Sequence, residues 1–155
     1  MKAGMERVFY FAYGSNMDEA RVRERGMPFT TRAAGSLKDY ELRFNKIAKQ
    51  IPGAGHANVV QAPGSWVEGV LYELSDGKDI ERMDPFEGYP VRYDRRLVTI
   101  QTDEGGRTAW VYEANAEFLA EGLRPTADYL AHLLAGQDCL SPAYWGRLAE
   151  IEVWG

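Results

Sequence analysis

Cysteine is nearly missing from this sequence: Cys139 is the one residue of its kind among 155. A single thiol closes no internal disulfide and builds no cysteine-rich zinc site. Histidine is almost as scarce, and His56 and His132 lie too far apart to share a helix face or a strand, so they outline no metal centre. Long apolar runs are absent, none approaching the ~20 residues a membrane-spanning helix requires. Basic charge is in the minority, with 18 Lys and Arg against 23 Asp and Glu for a net charge of −5. A nucleic-acid backbone asks for the opposite, a concentrated basic face. The opening MKAGMERVFYFAYGSN lacks the long apolar core and small-residue cleavage site of a signal peptide. No repeat, low-complexity tract or Pro/Ser-rich linker divides the chain. These absences lead to the expectation of one soluble, cytoplasmic domain over residues 1–155, a monomer or homodimer without membrane or nucleic-acid partners.

What is present is a series of short strand signals followed by helices. Val8 to Tyr13 is a continuous aromatic and β-branched run, the pattern of a strand buried on both faces. Leu37 to Phe44 alternates, with Tyr40, Leu42 and Phe44 on one side and Asp39, Glu41 and Arg43 on the other. Further strands are expected at 58–61, 66–74, 93–102 and 107–113, separated by Pro63-Gly64, Asp76-Gly77 and a hairpin loop at Asp103 to Gly106. Asp18 to Arg25 reads as a helix stopped by Gly26 and Pro28, and Asp79 to Met83 as a short turn. Thr126 caps an apolar stripe of Leu130, Leu133 and Leu134, and Ser141-Pro142 begins a last helix carrying Tyr144, Trp145 and Leu148. Strands first and helices last define an α+β fold with a mixed or antiparallel sheet, curled into a small β-barrel with flanking helices.

Two segments carry chemistry. In Phe11-Ala12-Tyr13-Gly14-Ser15-Asn16-Met17-Asp18-Glu19, a buried strand runs through a glycine into a helix start. Gly14 permits a positive φ or a close backbone approach, and Asn16 with Glu19 has capping-box spacing. Free N–H groups at such a junction attract a carboxylate or phosphate; the plain alternative is a tidy turn. Tyr10 and Tyr13 add phenols to an otherwise apolar strand. The second segment, Asp84-Pro85-Phe86-Glu87-Gly88-Tyr89-Pro90, reads as a rigid, nonrepetitive loop. Apolar neighbours and the nearby Asp84 would both raise the pKa of Glu87, which suits a general acid/base; the plain alternative is a solvated carboxylate. Other residues offer less. His132 reads as packing or surface, Cys139 has no activating base, and Ser15 lies outside a Gly-x-Ser-x-Gly elbow. Arg92, Arg95 and Arg96 form a basic cluster on a strand, there to pair with the excess carboxylates or to hold a substrate carboxylate.

Tyr10 to Met17 followed by Asp84 to Gly88 resembles the γ-glutamylcyclotransferase-like (AIG2-like) family, whose best marker is Tyr-Gly-Ser-Asn at the end of the first strand. Gly55 to Gln61 and Trp66 to Tyr72 look like its central strand pair, and Pro125 to Leu130 with Ser141 to Tyr144 like its C-terminal helices. The resemblance implies a small barrel with a pocket at one mouth. It puts the family's catalytic glutamate on Glu87 and its substrate loop on Tyr10, Phe11, Ala12, Tyr13, Gly14, Ser15 and Asn16. A substrate-contacting tyrosine falls on Tyr129. The implied reaction is release of 5-oxoproline and a free amine or amino acid from a γ-glutamyl amide, with no metal and no cofactor. Members differ in substrate, among them γ-glutamyl amino acids, γ-glutamyl amines and γ-glutamyl antibiotic precursors. The competing expectation is a non-catalytic domain that binds γ-glutamyl or other acidic metabolites, and a third is an interaction domain with an exposed aromatic loop.

Overall fold

The computed structural model describes residues 7–155; the start of the opening segment, judged above to carry no leader, lies outside the described residues. Five strands close into a barrel in the order β1-β3-β2-β4-β5. They are β1 (Phe9–Ala12), β2 (Phe29–Ile47), β3 (Gly55–Leu74), β4 (Tyr93–Thr102) and β5 (Gly105–Ala114). Four short helices flank them: α1 (Glu19–Glu24), α2 (Ile80–Glu87), α3 (Ala127–Leu134) and α4 (Pro142–Ala149). This is the α+β barrel expected from the strand and helix signals.

The continuous apolar run near the start has a simple cause. Strand β1 lies between β3, antiparallel, and β5, parallel, and all four of its residues are buried. Phe9 and Phe11 join a cluster with Leu37, Val59, Val67, Leu71, Ile100 and Val111, to which every strand contributes; this is the barrel interior. Tyr10 and Ala12 point the other way, into a second cluster where Val22, Met83, Leu130, Leu133 and Leu148 bring the helices onto the barrel wall.

Several boundaries differ from expectation. The strands expected at 58–61 and 66–74, which the resemblance treats as a pair, are parts of one 20-residue strand, β3. Pro63-Gly64 does not end it. The β2–β3 register instead shifts between Lys38 and Tyr40, where Asp39 takes φ 66° and accepts a hydrogen bond from the Gly64 N–H at 3.0 Å. The extra residues are absorbed as a bulge, which bends the long pair around the barrel. Segment 84–90 does not form a wholly nonrepetitive loop: helix α2 runs through Pro85 to Glu87 and ends on Gly88 in the left-handed region, φ 70°. The carbonyl that the proline leaves without its helical partner belongs to Glu81, an exposed residue. The helix starts capped by Asp18, Thr126 and Ser141 form as their side chains allow.

Candidate active site

The site is built where β1 runs out. Asp18, rather than Asn16, caps α1, its Oδ1 accepting from the Ala20 N–H at 3.1 Å, and Glu19 pairs with Arg23 instead of closing a capping box. That frees Asn16 to turn inward, where it is 3% exposed. Its Nδ2 donates to the Tyr10 hydroxyl at 2.9 Å and lies 3.4 Å from Glu87 Oε2. Its Oδ1 accepts from Arg25 at 3.1 Å, and its backbone carbonyl accepts from Tyr72 at 2.7 Å. Gly14 is needed for close approach and not for an unusual backbone angle: its φ is −118°, but a Cβ there would sit 3.1 Å from Ala57 Cβ and 3.2 Å from the Tyr129 hydroxyl.

These elements enclose a small cavity of about 30 Å³, walled by Tyr10, Tyr13, Tyr93, Tyr112 and Tyr129 together with the Gly14 to Asn16 loop and Glu87. Burial keeps the phenols protonated, with Tyr129 pushed up to about 12 and Tyr10, Tyr13 and Tyr93 well above their ordinary value. Tyr13 donates to the Tyr112 carbonyl and Tyr93 to the Ala57 carbonyl, both at 2.7 Å. Tyr129 is different. Its oxygen accepts from the Ala57 N–H at 2.9 Å, so its own proton remains available to an acceptor in the cavity.

Glu87 ends α2 with a side chain 16% exposed, so it is not a solvated loop carboxylate. Burial raises its pKa, while Arg25 at 3.6 Å, Lys46, Arg21 and the Asn16 amide pull it down without cancelling the rise. Asp84 is not among the main causes, contrary to the expectation from sequence. It is held by Arg95 through two hydrogen bonds of 2.8 and 3.0 Å and by the Tyr112 hydroxyl at 2.7 Å. The arginine cluster is likewise split. Arg95 serves Asp84, Arg96 pairs with Glu113 on the surface, and Arg92 precedes β4 and turns toward the site.

Of the residues singled out from sequence, Tyr10, Tyr13, Gly14, Ser15, Asn16, Glu87 and Tyr129 meet around one cavity. Phe11 and Ala12 do not line it: Phe11 fills the barrel interior and Ala12 packs under the helices. Tyr10 and Tyr13 are buried, so the aromatic loop is not the exposed patch that the third expectation required of it. Sequence reading missed Tyr93, Tyr112 and Ala57, which sit in ordinary strand patterns, although nine tyrosines in one chain were a signal of phenolic chemistry. It also missed Arg25 and Lys46. His132 binds the capping Asp18 at 2.7 Å, and His56 stacks on Tyr129 at 4.5 Å between ring centres.

Barrel, helices and a phenol-walled cavity holding one glutamate define the architecture, and comparison with known proteins gives it a family. Residues 10–131 match the family described as gamma-glutamyl cyclotransferase, AIG2-like, and the chain belongs to that family. It is 29% identical over 104 residues to the gamma-glutamylcyclotransferase of Bos taurus, covering 64% of this chain and 55% of that protein. The Mus musculus gamma-glutamylcyclotransferase is 30% identical over 86 residues, 54% of this chain and 45% of its own length. The chain thus spans about half the length of these curated relatives. A solved gamma-glutamyl cyclotransferase superposes with a TM-score of 0.80 at 27% identity, covering 96% of this chain and 90% of that one. No helix among the described residues is long and apolar enough to cross a membrane.

Proposed function

We propose that the chain is a γ-glutamyl cyclotransferase in which Glu87 is the general acid/base. The observation that carries this is the placement of one buried carboxylate of raised pKa at the Gly14 to Asn16 loop, inside a wall of protonated phenols. In the reaction the substrate's α-amine nitrogen attacks its own γ-carbonyl carbon. A C–N bond forms and closes 5-oxoproline, and the original amide C–N bond breaks to free the amine. The attacking ammonium gives up two protons, one before attack and one as the ring closes. Glu87 takes each in turn and passes it to the departing nitrogen, which leaves as an ammonium, so one carboxylate serves both transfers.

Holding the γ-glutamyl chain folded is the larger part of the task. Oriented intramolecular reactions gain up to roughly 7–11 kcal/mol from positioning. Among the described residues the N–H groups of Gly14, Ser15 and Asn16 donate to no protein acceptor, which leaves them for the α-carboxylate and the tetrahedral oxyanion. The free Tyr129 proton supplies a further donor beside Gly14. Acid/base transfer by Glu87 adds on the order of 10²–10⁴ in rate.

The test is incubation with a panel of γ-glutamyl amino acids and amines, with 5-oxoproline read by mass spectrometry. Release by the native chain and its loss in Glu87→Gln, with ligand binding retained, is the expected result. Undiminished release by Glu87→Gln removes the carboxylate from its role. Binding without release by the native chain would point to a metabolite-binding domain instead.

A further inference from the structure

The cavity described above opens into a much larger one of about 300 Å³, and the two share Ser15, Glu87, Tyr93 and Tyr129. The inner space is walled by neutral hydroxyls. The outer one is lined by Arg21, Arg25, Lys46, Lys49 and Arg92, with Glu87 as its one carboxylate. In a chain of net charge −5 this is a pronounced local reversal of sign.

Most of these cations are not spent on carboxylates, although Arg92 lies over the Phe118 ring, 4.9 Å from its centre. Arg25 is the one of the five that pairs with Glu87; among the described residues Arg21, Lys46, Lys49 and Arg92 form no ion pair with a side chain. Lys46 is 3% exposed, lies 5.6 Å from the centre of the Tyr93 ring and has Arg92 close enough to repel it. The Nε of Arg21 is buried without a hydrogen-bond partner. Burying unpaired charge is costly, so Lys46 and the Arg21 Nε beside one open space call for an anion to complete them. The exposed Lys49 and the half-buried Arg92 add positive charge at the rim.

We propose that the outer cavity is the leaving-group site and that it selects amines which themselves carry anionic groups. This rests on the cyclotransferase role of the inner cavity. With the γ-glutamyl carbonyl beside the loop and its amide nitrogen within reach of Glu87, whatever is attached to that nitrogen extends past Glu87 into the outer space. The single α-carboxylate of the γ-glutamyl group is served by the loop N–H groups. The four unpaired cations therefore face the leaving group, attracting carboxylate or phosphate and repelling an ammonium.

The test measures binding and turnover separately. Calorimetry on Glu87→Gln compares γ-glutamyl-glutamate, γ-glutamyl-O-phosphoethanolamine, γ-glutamyl-alanine, γ-glutamyl-n-butylamide and γ-glutamyl-putrescine. Affinity falls on the order of tenfold for each anionic charge removed from the leaving group and is lowest for putrescine. The first two ligands tell whether carboxylate or phosphate is preferred. Added salt compresses the series, because the cavity mouth is open to solvent. Introducing Lys46→Met narrows the ratio between γ-glutamyl-glutamate and γ-glutamyl-n-butylamide. Lys49→Gln with Arg92→Gln, at the more exposed rim, does the same should the buried substitution fail to fold. An order that is flat, or that favours putrescine, overturns the inference. The native chain's release of 5-oxoproline tests the other half: release with a flat order refutes anion selection alone. A charge-ordered series without release refutes cyclotransfer and leaves an anion-selective pocket.

Discussion

Asn16 touches Tyr10, Arg25 and Glu87 with one amide, and so couples the loop to the proposed acid/base. The consequence can be read in pH. A general base works as the carboxylate, so activity falls as pH drops through the pKa of Glu87. Because burial raises that pKa, the acid limb of kcat/KM lies above the ordinary carboxylate range. Arg25 acts in the opposite direction and holds the value down. Arg25→Gln therefore moves the acid limb to higher pH, and a pH–rate profile distinguishes this from a loss of structure, which would lower activity without moving the limb. Gly14→Val puts branched carbon where Ala57 and the Tyr129 hydroxyl leave 3.1 and 3.2 Å. Its expected cost is on the order of 10² in kcat/KM, with substrate binding weakened, as steady-state kinetics would show.

Helix α3 holds Tyr129 over the cavity, and it is fastened through Leu130 and Leu133, 5% and 0% exposed. Leu133→Ala removes buried carbon from that contact and costs about 2–5 kcal/mol of stability, measurable as a lower denaturant midpoint. Strand β1 is held against β3 at Gly69, where a Cβ would lie 2.4 Å from the Ala12 carbonyl oxygen. Gly69→Ala must push the strands apart, lowering Tm by destabilising the chain about 1–3 kcal/mol and displacing the Gly14 loop that follows. Both elements were legible in part. The capped apolar stripe of α3 was plain because its period matches an amphipathic helix. The extent of α2 was not, because Pro85 and Gly88 carry the local preferences of a loop. Packing of Ile80 and Met83 against the barrel overrides those preferences.

Across the whole molecule, two cores share one wall. Leu42, Phe44 and Tyr129 pack against both the barrel interior and the layer beneath the helices. Barrel and helices are therefore expected to unfold in a single transition, with near-ultraviolet and far-ultraviolet circular dichroism superimposing across a denaturant series. Separated transitions would show that the helices form an independent unit. At the same scale the chain keeps a negative balance overall while concentrating unpaired cations in one cavity. Composition reports only the first of these, since it sums charges without regard to where they lie.

Local pattern was enough for most of the barrel strands and for the caps at Thr126 and Ser141, and it singled out Gly14 and Glu87 as candidates. Each depends on a few neighbouring residues: a buried run, a cap, a glycine before a polar pair. Missing from that pattern was the meeting of Glu87 with Asn16 across 71 positions of chain and of Tyr129 with Ala57 across 72. The arrest of Asp84 by Arg95 and the gathering of Arg21, Lys46 and Arg92 around one opening were equally hidden. Closure of the barrel brings these distant positions together, and the dry interior it creates gives their charges their strength. Sequence determined which groups were available, and tertiary structure decided which of them stand in water and which must find a partner.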